Sequence, residues 1–175
     1  MNTLTPSVHQ DKVWRQNQTW YINGKHNECE KYQRNMIRYI TAIECKNTNL
    51  RIHMENYEIH NMRNISKRDD AYEWTETLDG KINKNNTTFF FNLKFVCETG
   101  GAQLRTMREI YHFIKAQVNY LKSVENNTIY FVNILDGHMC HQNMHKFKHL
   151  VYENLFIGDM VLFSVWWNHD HSFIN

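Results

Sequence analysis

The chain has 175 residues, enough for one domain with a real core and too few for two ordinary ones. Apolar residues at 42% and 22% charged residues, with five Trp, nine Tyr and ten Phe, are the make-up of a packed soluble globule. A formal charge of +2 neither announces a nucleic-acid binder nor excludes one, because a groove can be basic while the whole is balanced.

Residues 1–27 lack periodicity and read as an irregular arm, leaving residues 28–175 as a single domain. From Glu28 onward Cys29, Tyr32, Met36, Ile40 and Ile43 recur at three- and four-residue spacing, one face of a helix. Residues 50–54 suit a short strand, residues 55–70 are ambiguous, and Ser66 to Asp70 form a charged turn. Residues 71–78 alternate Tyr72, Trp74 and Leu78 against Glu73, Thr75, Thr77 and Asp79, a half-buried strand. Residues 80–88 read as a polar hairpin connection. Residues 89–97 are almost continuously apolar, as in a central strand covered on both sides.

Gly100-Gly101 then opens a long helix with a stripe of Leu104, Met107, Tyr111, Ile114, Val118 and Leu121. Residues 128–135 are another buried strand, ending at Asp136-Gly137. Residues 138–153 read as a helix with Cys140, Met144, Phe147 and Val151 on its apolar side, and residues 155–167 as one or two further strands. This order of elements predicts an α/β fold, a three-layer α/β/α sandwich around a central mixed sheet.

Lys94 stands out inside the apolar strand. A lysine there needs an anionic or metal-bound neighbour, since an uncompensated buried charge costs several kcal/mol. Strand residues two apart share a face, so Asn92 and Lys94 point the same way. Asp79 precedes them on the neighbouring segment and Glu109 follows on the next helix. Two carboxylates and a lysine are the minimum for holding a divalent cation and orienting a water against a phosphodiester.

This strand Asp, strand Asn-x-Lys and flanking helices resemble the PD-(D/E)XK superfamily, the restriction-endonuclease-like fold of many type II restriction enzymes and repair nucleases. The likeness covers roughly residues 28–165 in element order. It implies that Asp79 binds the metal at the end of the second core strand and that Lys94 positions or deprotonates the attacking water. Asn92 stands where the family has its second acid. A neutral amide still ligates a hard cation through oxygen, but with one negative charge fewer. One branch of the family, typified by enzymes cutting CCGG-type sites, takes a glutamate from the following helix instead. Glu109, fifteen residues after Lys94, lies near that offset and about two turns into the helix.

The expected site is therefore Asp79, Lys94 and Glu109, with Asn92 as an auxiliary ligand and Glu98, Glu28 or Glu30 as weaker substitutes. The implied cofactor is Mg²⁺, with Mn²⁺ as a substitute. Arg105 and Arg108, with Gln103, stand at the start of the same helix, where that branch reads guanines through bidentate hydrogen bonds. Simpler readings accompany each. Asp79-Gly80 is also a common hairpin signal, Lys94 also a lysine snorkelling from an edge strand, and Glu109 also the partner of Arg105 in a surface i,i+4 pair.

His138, Cys140, His141, His145 and His149 form a second group, and a helix would stack three of these histidines on one face. Without HExxH or a CxxC pair they read as a solvated basic face. The four cysteines are widely spaced and no apolar leader precedes them, so they read as free thiols of an intracellular, cytoplasmic protein. Residues 155–167, the longest apolar stretch, are too short to span a bilayer.

The sequence thus points to a Mg²⁺-dependent endonuclease acting on double-stranded DNA, a homodimer if it cuts a palindrome on both strands. The alternative is a nuclease fold, catalytically weakened or inactive, that binds nucleic acid.

Overall fold

A computed structural model describes residues 12–62, 73–97, 100–125, 128–169 and 171, apart from the side chains of residues 12–14 and 17. Two helices open it, α1 (Lys12–Ile22) and α2 (His26–Thr41), followed by a two-stranded antiparallel ribbon, β1 (Leu50–Ile52) and β2 (Ile59–Asn61). The main sheet has four strands in the order β3 (Gly80–Lys84), β4 (Thr87–Phe95), β5 (Ile129–Asp136) and β6 (Leu155–Gly158). β3 runs antiparallel to β4, whereas β4, β5 and β6 are mutually parallel. The parallel pairs are joined by α3 (Gly101–Ser123) and by α4 (His138–Asn143) with a 3-10 segment (Met144–Leu150); α5 (Met160–Asn168) follows β6.

The alternation of β4 divides the core in two. Phe89, Phe91 and Leu93 join Val132, Ile134 and Phe156 under Ile37 of α2 and Phe163, Trp166 and Trp167 of α5. Phe90 joins Phe131, Leu135 and Ile157 under Met107, Ile110 and Ile114 of α3 and Met139, Met144 and Phe147 of the α4 region. The result is a mixed sheet with helices packed on both faces, which is why β4 reads as a continuous apolar run.

Several local expectations change. Lys12–Ile22 is helical, where an irregular arm was expected; residues 1–11 and the charged turn at Ser66–Asp70 lie outside the described residues. Residues 73–79 run extended beside β1 without becoming a ladder, touching it through Thr75 N–H to Ile52 O (2.9 Å), Leu78 N–H to Leu50 O (2.9 Å) and one His53–Trp74 bridge. Residues 80–88 are not a connection: Gly80–Lys84 pairs with β4, and the turn is Asn85-Asn86, both at positive φ (51° and 63°). Asparagine tolerates that conformation, which closes a two-residue hairpin in keeping with strand twist.

The buried face of α3 is broader than the expected stripe, taking in Ile110, Phe113, Ala116 and Gln117, while Leu104 is exposed. On α2 the buried line is Cys29, Gln33, Ile37 and Thr41. Residues 160–168 form a helix rather than a strand, begun by Asp159, whose carboxylate accepts from Leu162 N–H at 2.9 Å. A short run that is almost wholly apolar carries little period, so it did not distinguish the two.

Gly137, at φ +93°, turns β5 into α4 where a Cβ would lie 2.4 Å from Val96 O. Gly137→Ala adds backbone strain to a steric clash and is expected to destabilise the fold by on the order of 3 kcal/mol, read from the shift in urea midpoint. All four cysteines are buried. Burial pushes Cys29 and Cys45 up to about 11, so both thiols stay neutral at ordinary pH. Among the described residues no helix is long and apolar enough to cross a membrane.

Candidate functional site

The antiparallel β3–β4 pairing begins at Gly80–Phe91 and so sets Asp79 beside the C-terminal half of β4. Asp79 N–H donates to Phe91 O at 2.8 Å, and the Asp79 carboxylate accepts from Leu93 N–H at 2.7 Å. From α2, Arg34 donates to the Asp79 carbonyl at 2.6 Å and to Cys45 O at 3.2 Å, while pairing with Glu30 at 2.9 Å. Asp79 is thus held by its backbone and side chain together. Burial, opposed by the nearby Lys94 charge and the Leu93 hydrogen bond, lifts its pKa to about 6.

Lys94 emerges from β4 on the α3 side and forms an ion pair with Glu76 at 2.9 Å. Burial pulls the lysine pKa down, but the carboxylates of Glu76, Asp79 and, more weakly, Glu109 outweigh it, and the net shift is upward. Lys94 is therefore an ammonium at neutral pH. With 22% of the side chain exposed, against 37% for Glu76, the pair sits at the rim of the core rather than inside it. Its carbonyl accepts from Gln33 Nε2 at 2.9 Å, which fixes the end of the strand to α2.

Of the expected site, Asp79 and Lys94 are brought together and Glu109 stands nearby on α3, exposed. Asn92 goes elsewhere. It is 1% exposed, and its amide donates to Asn133 Oδ1 at 3.0 Å within a buried group completed by Gln117. Asn92 Oδ1 has no hydrogen-bond partner among the described residues. Gln103 is half-buried and Arg105 and Arg108 are exposed on α3. Glu28 lies in the first turn of α2, Glu30 is taken up by Arg34, and Glu98 lies outside the described residues.

Glu76 is the residue that sequence reasoning missed. It had a signal: it shares the apolar register of Trp74 and Leu78, where a carboxylate has no place without a cation. It also lines a cleft of about 380 Å³ with Met54, Trp74, Thr75, Glu109, His112 and Phe113.

A second polar cluster lies at the C-terminal ends of β5 and β6. Asp136 accepts from Gln33 Nε2 (2.9 Å) and Met160 N–H (3.1 Å), and Asp159 lies 3.6 Å from His141 Nε2. Burial, reinforced by the charge of Asp159, pushes Asp136 up to about 7. The histidine row is dispersed. The helix tightens to 3-10 at Met144, His141 turns to Asp159, and His149 bonds the Tyr111 hydroxyl.

Among the described residues no three or more His, Cys, Asp or Glu side chains gather closely enough to hold a metal ion. Comparisons with protein-family models, with curated proteins and with solved structures gave no match.

Proposed function

We propose that the protein is a metal-dependent endonuclease of the restriction-endonuclease-like α/β/α type, hydrolysing phosphodiester bonds in DNA at Asp79, Lys94 and their neighbours. One observation carries the reading: a lysine leaves the central strand paired with Glu76 at 2.9 Å and under the charge of Asp79, both from the segment that precedes its antiparallel partner. The strand order supports it, with a hairpin bearing acid and lysine, then a helix bearing Glu109, then a parallel strand.

Mg²⁺ commonly keeps several waters and takes only one or two carboxylates, so Asp79 and Glu109 are donors of the right chemistry for it. Asp79 and Glu109 would hold it, while Glu76 stays paired with Lys94. Bound there, it supplies Lewis-acid polarisation of a phosphate oxygen.

The remaining chemistry belongs to the chain. Water forms a bond to phosphorus as the bond to the 3′ oxygen breaks, and the oxygen leaves with a proton from solvent. The proton of that water passes to solvent, and the Asp79 carboxylate, fixed by the Leu93 N–H at 2.7 Å, would serve as ligand rather than base. Lys94, whose pKa is raised, is a poor base; as an ammonium it offsets charge building on the phosphoryl oxygens.

The test is incubation with phage and plasmid DNA in Mg²⁺, Mn²⁺ or EDTA. Discrete fragments that vanish with EDTA are expected; intact DNA with every metal would sink the reading. A second reading, a nuclease fold that binds DNA without cutting it, draws on Asn92, which stands in the second acid's place and is buried. It predicts retention in a gel shift that weakens with salt, and no fragments.

A further inference from the structure

The cleft beside Lys94 has aromatic side chains among its walls. Its walls include Trp74, Met54, Phe113 and His112, and both Glu76 and Glu109 open onto it. Trp74 is braced edge-on by His53 (ring centroids 4.7 Å, interplanar angle 84°) and by His60 (5.3 Å, 73°) from the β1–β2 ribbon. The indole is therefore set in place before anything binds. Its Nε1–H is buried and has no hydrogen-bond partner among the described residues, although a buried donor ordinarily has one.

We infer that this cleft receives one unpaired nucleobase stacked on Trp74. The substrate is then single-stranded DNA, or duplex in which the nucleotide beside the scissile phosphate is extruded. This inference rests on the nuclease reading of the adjoining cluster. In a closed duplex the base faces are stacked against their neighbours, and only an unstacked base can present one to an indole. Every one of the four bases has a π-face that can stack on Trp74. The cleft thus selects an unpaired base over a paired one rather than one sequence over another.

Binding is measured by fluorescence anisotropy in EDTA, where no hydrolysis intervenes, with a labelled oligo(dT) and a labelled blunt duplex. Single strand is expected to bind at least ~10-fold more tightly than duplex. Trp74→Ala should lose about tenfold for the single strand and Trp74→Phe should retain most of it. Met54→Glu, at an exposed position on the cleft wall (37% exposed), should weaken single-strand binding without touching the core, and decides the matter if Trp74→Ala does not fold. Equal affinity for the two DNAs, or wild-type affinity in the folded variants, overturns the inference. Cleavage without single-strand preference would leave the nuclease reading standing and remove this one. Trp74-dependent single-strand binding without cleavage in any metal would do the reverse.

Discussion

Lys94→Met is expected to lower metal-dependent cleavage by about 10²–10³-fold, the loss typical of removing one preorganised charge from a phosphoryl site. The methylene stem is kept, so packing along β4 changes little, and the ammonium alone is deleted. A second consequence is separable from catalysis. Lys94 is the main influence pulling the Asp79 pKa down against burial, so its removal should carry that pKa above the present value of about 6. A carboxyl-carbon NMR titration of Asp79 in wild type and variant measures this directly. An unchanged Asp79 titration would mean that the two side chains are not coupled in solution, and would remove the basis for the site whatever the activity.

Asp136→Asn is expected to flatten the dependence of stability on pH. The unfolded carboxyl titrates near 3.8, and burial with the neighbouring Asp159 lifts the folded one to about 7. The folded state therefore binds the proton more tightly. Stability from this group is fully present below about pH 4 and is lost as pH rises through 7. Between pH 5 and pH 8 that loss amounts to about 2–3 kcal/mol at 1.36 kcal/mol per unit. Asp79 acts in the same direction over the span from 3.8 to about 6. His141 opposes them: burial lowers its pKa, so its contribution grows as pH rises toward 6.5. Because Asp159 and His141 remain in the variant, comparison isolates Asp136. Urea midpoints at the two pH values should show Asp136→Asn gaining about 2–3 kcal/mol on wild type at pH 8 relative to pH 5. A difference that stays constant would place the Asp136 pKa at its ordinary value.

Lys94 was legible because physics forbids an uncompensated lysine in an apolar strand, and its partners Glu76 and Asp79 supply the compensation. Asp79 was legible as an acid close to that strand, though it precedes β3 rather than ending a strand of its own. Glu76 was not, because the segment carrying it alternates like a strand but borrows its hydrogen bonds from β1, and the one charged residue in the apolar register passed as noise. Asn92 misled in the opposite sense. Its spacing from Lys94 put it on the right face, but Asn133 on β5 and Gln117 on α3 draw its amide into the core.

What the sequence determined by itself is whatever depends on local periodicity: the continuous apolar run of β4 and β5, the long helix after Gly100-Gly101, and the alternation that puts Asn92 and Lys94 on one face of the strand. These follow from the repeat of strand and helix, which neighbouring residues already contain. What only the tertiary structure decided depends on which chain ends meet. Parallel pairing brings the C-terminal ends of β5 and β6 side by side, so Asp136 and Asp159 share one buried pocket despite their separation in the chain. Packing of a uniformly apolar run against the sheet made residues 160–168 a helix, and the antiparallel β3–β4 register carried Asp79 to Leu93 and Lys94. Proximity of that kind arises from the packing of whole elements, and no window of sequence holds it.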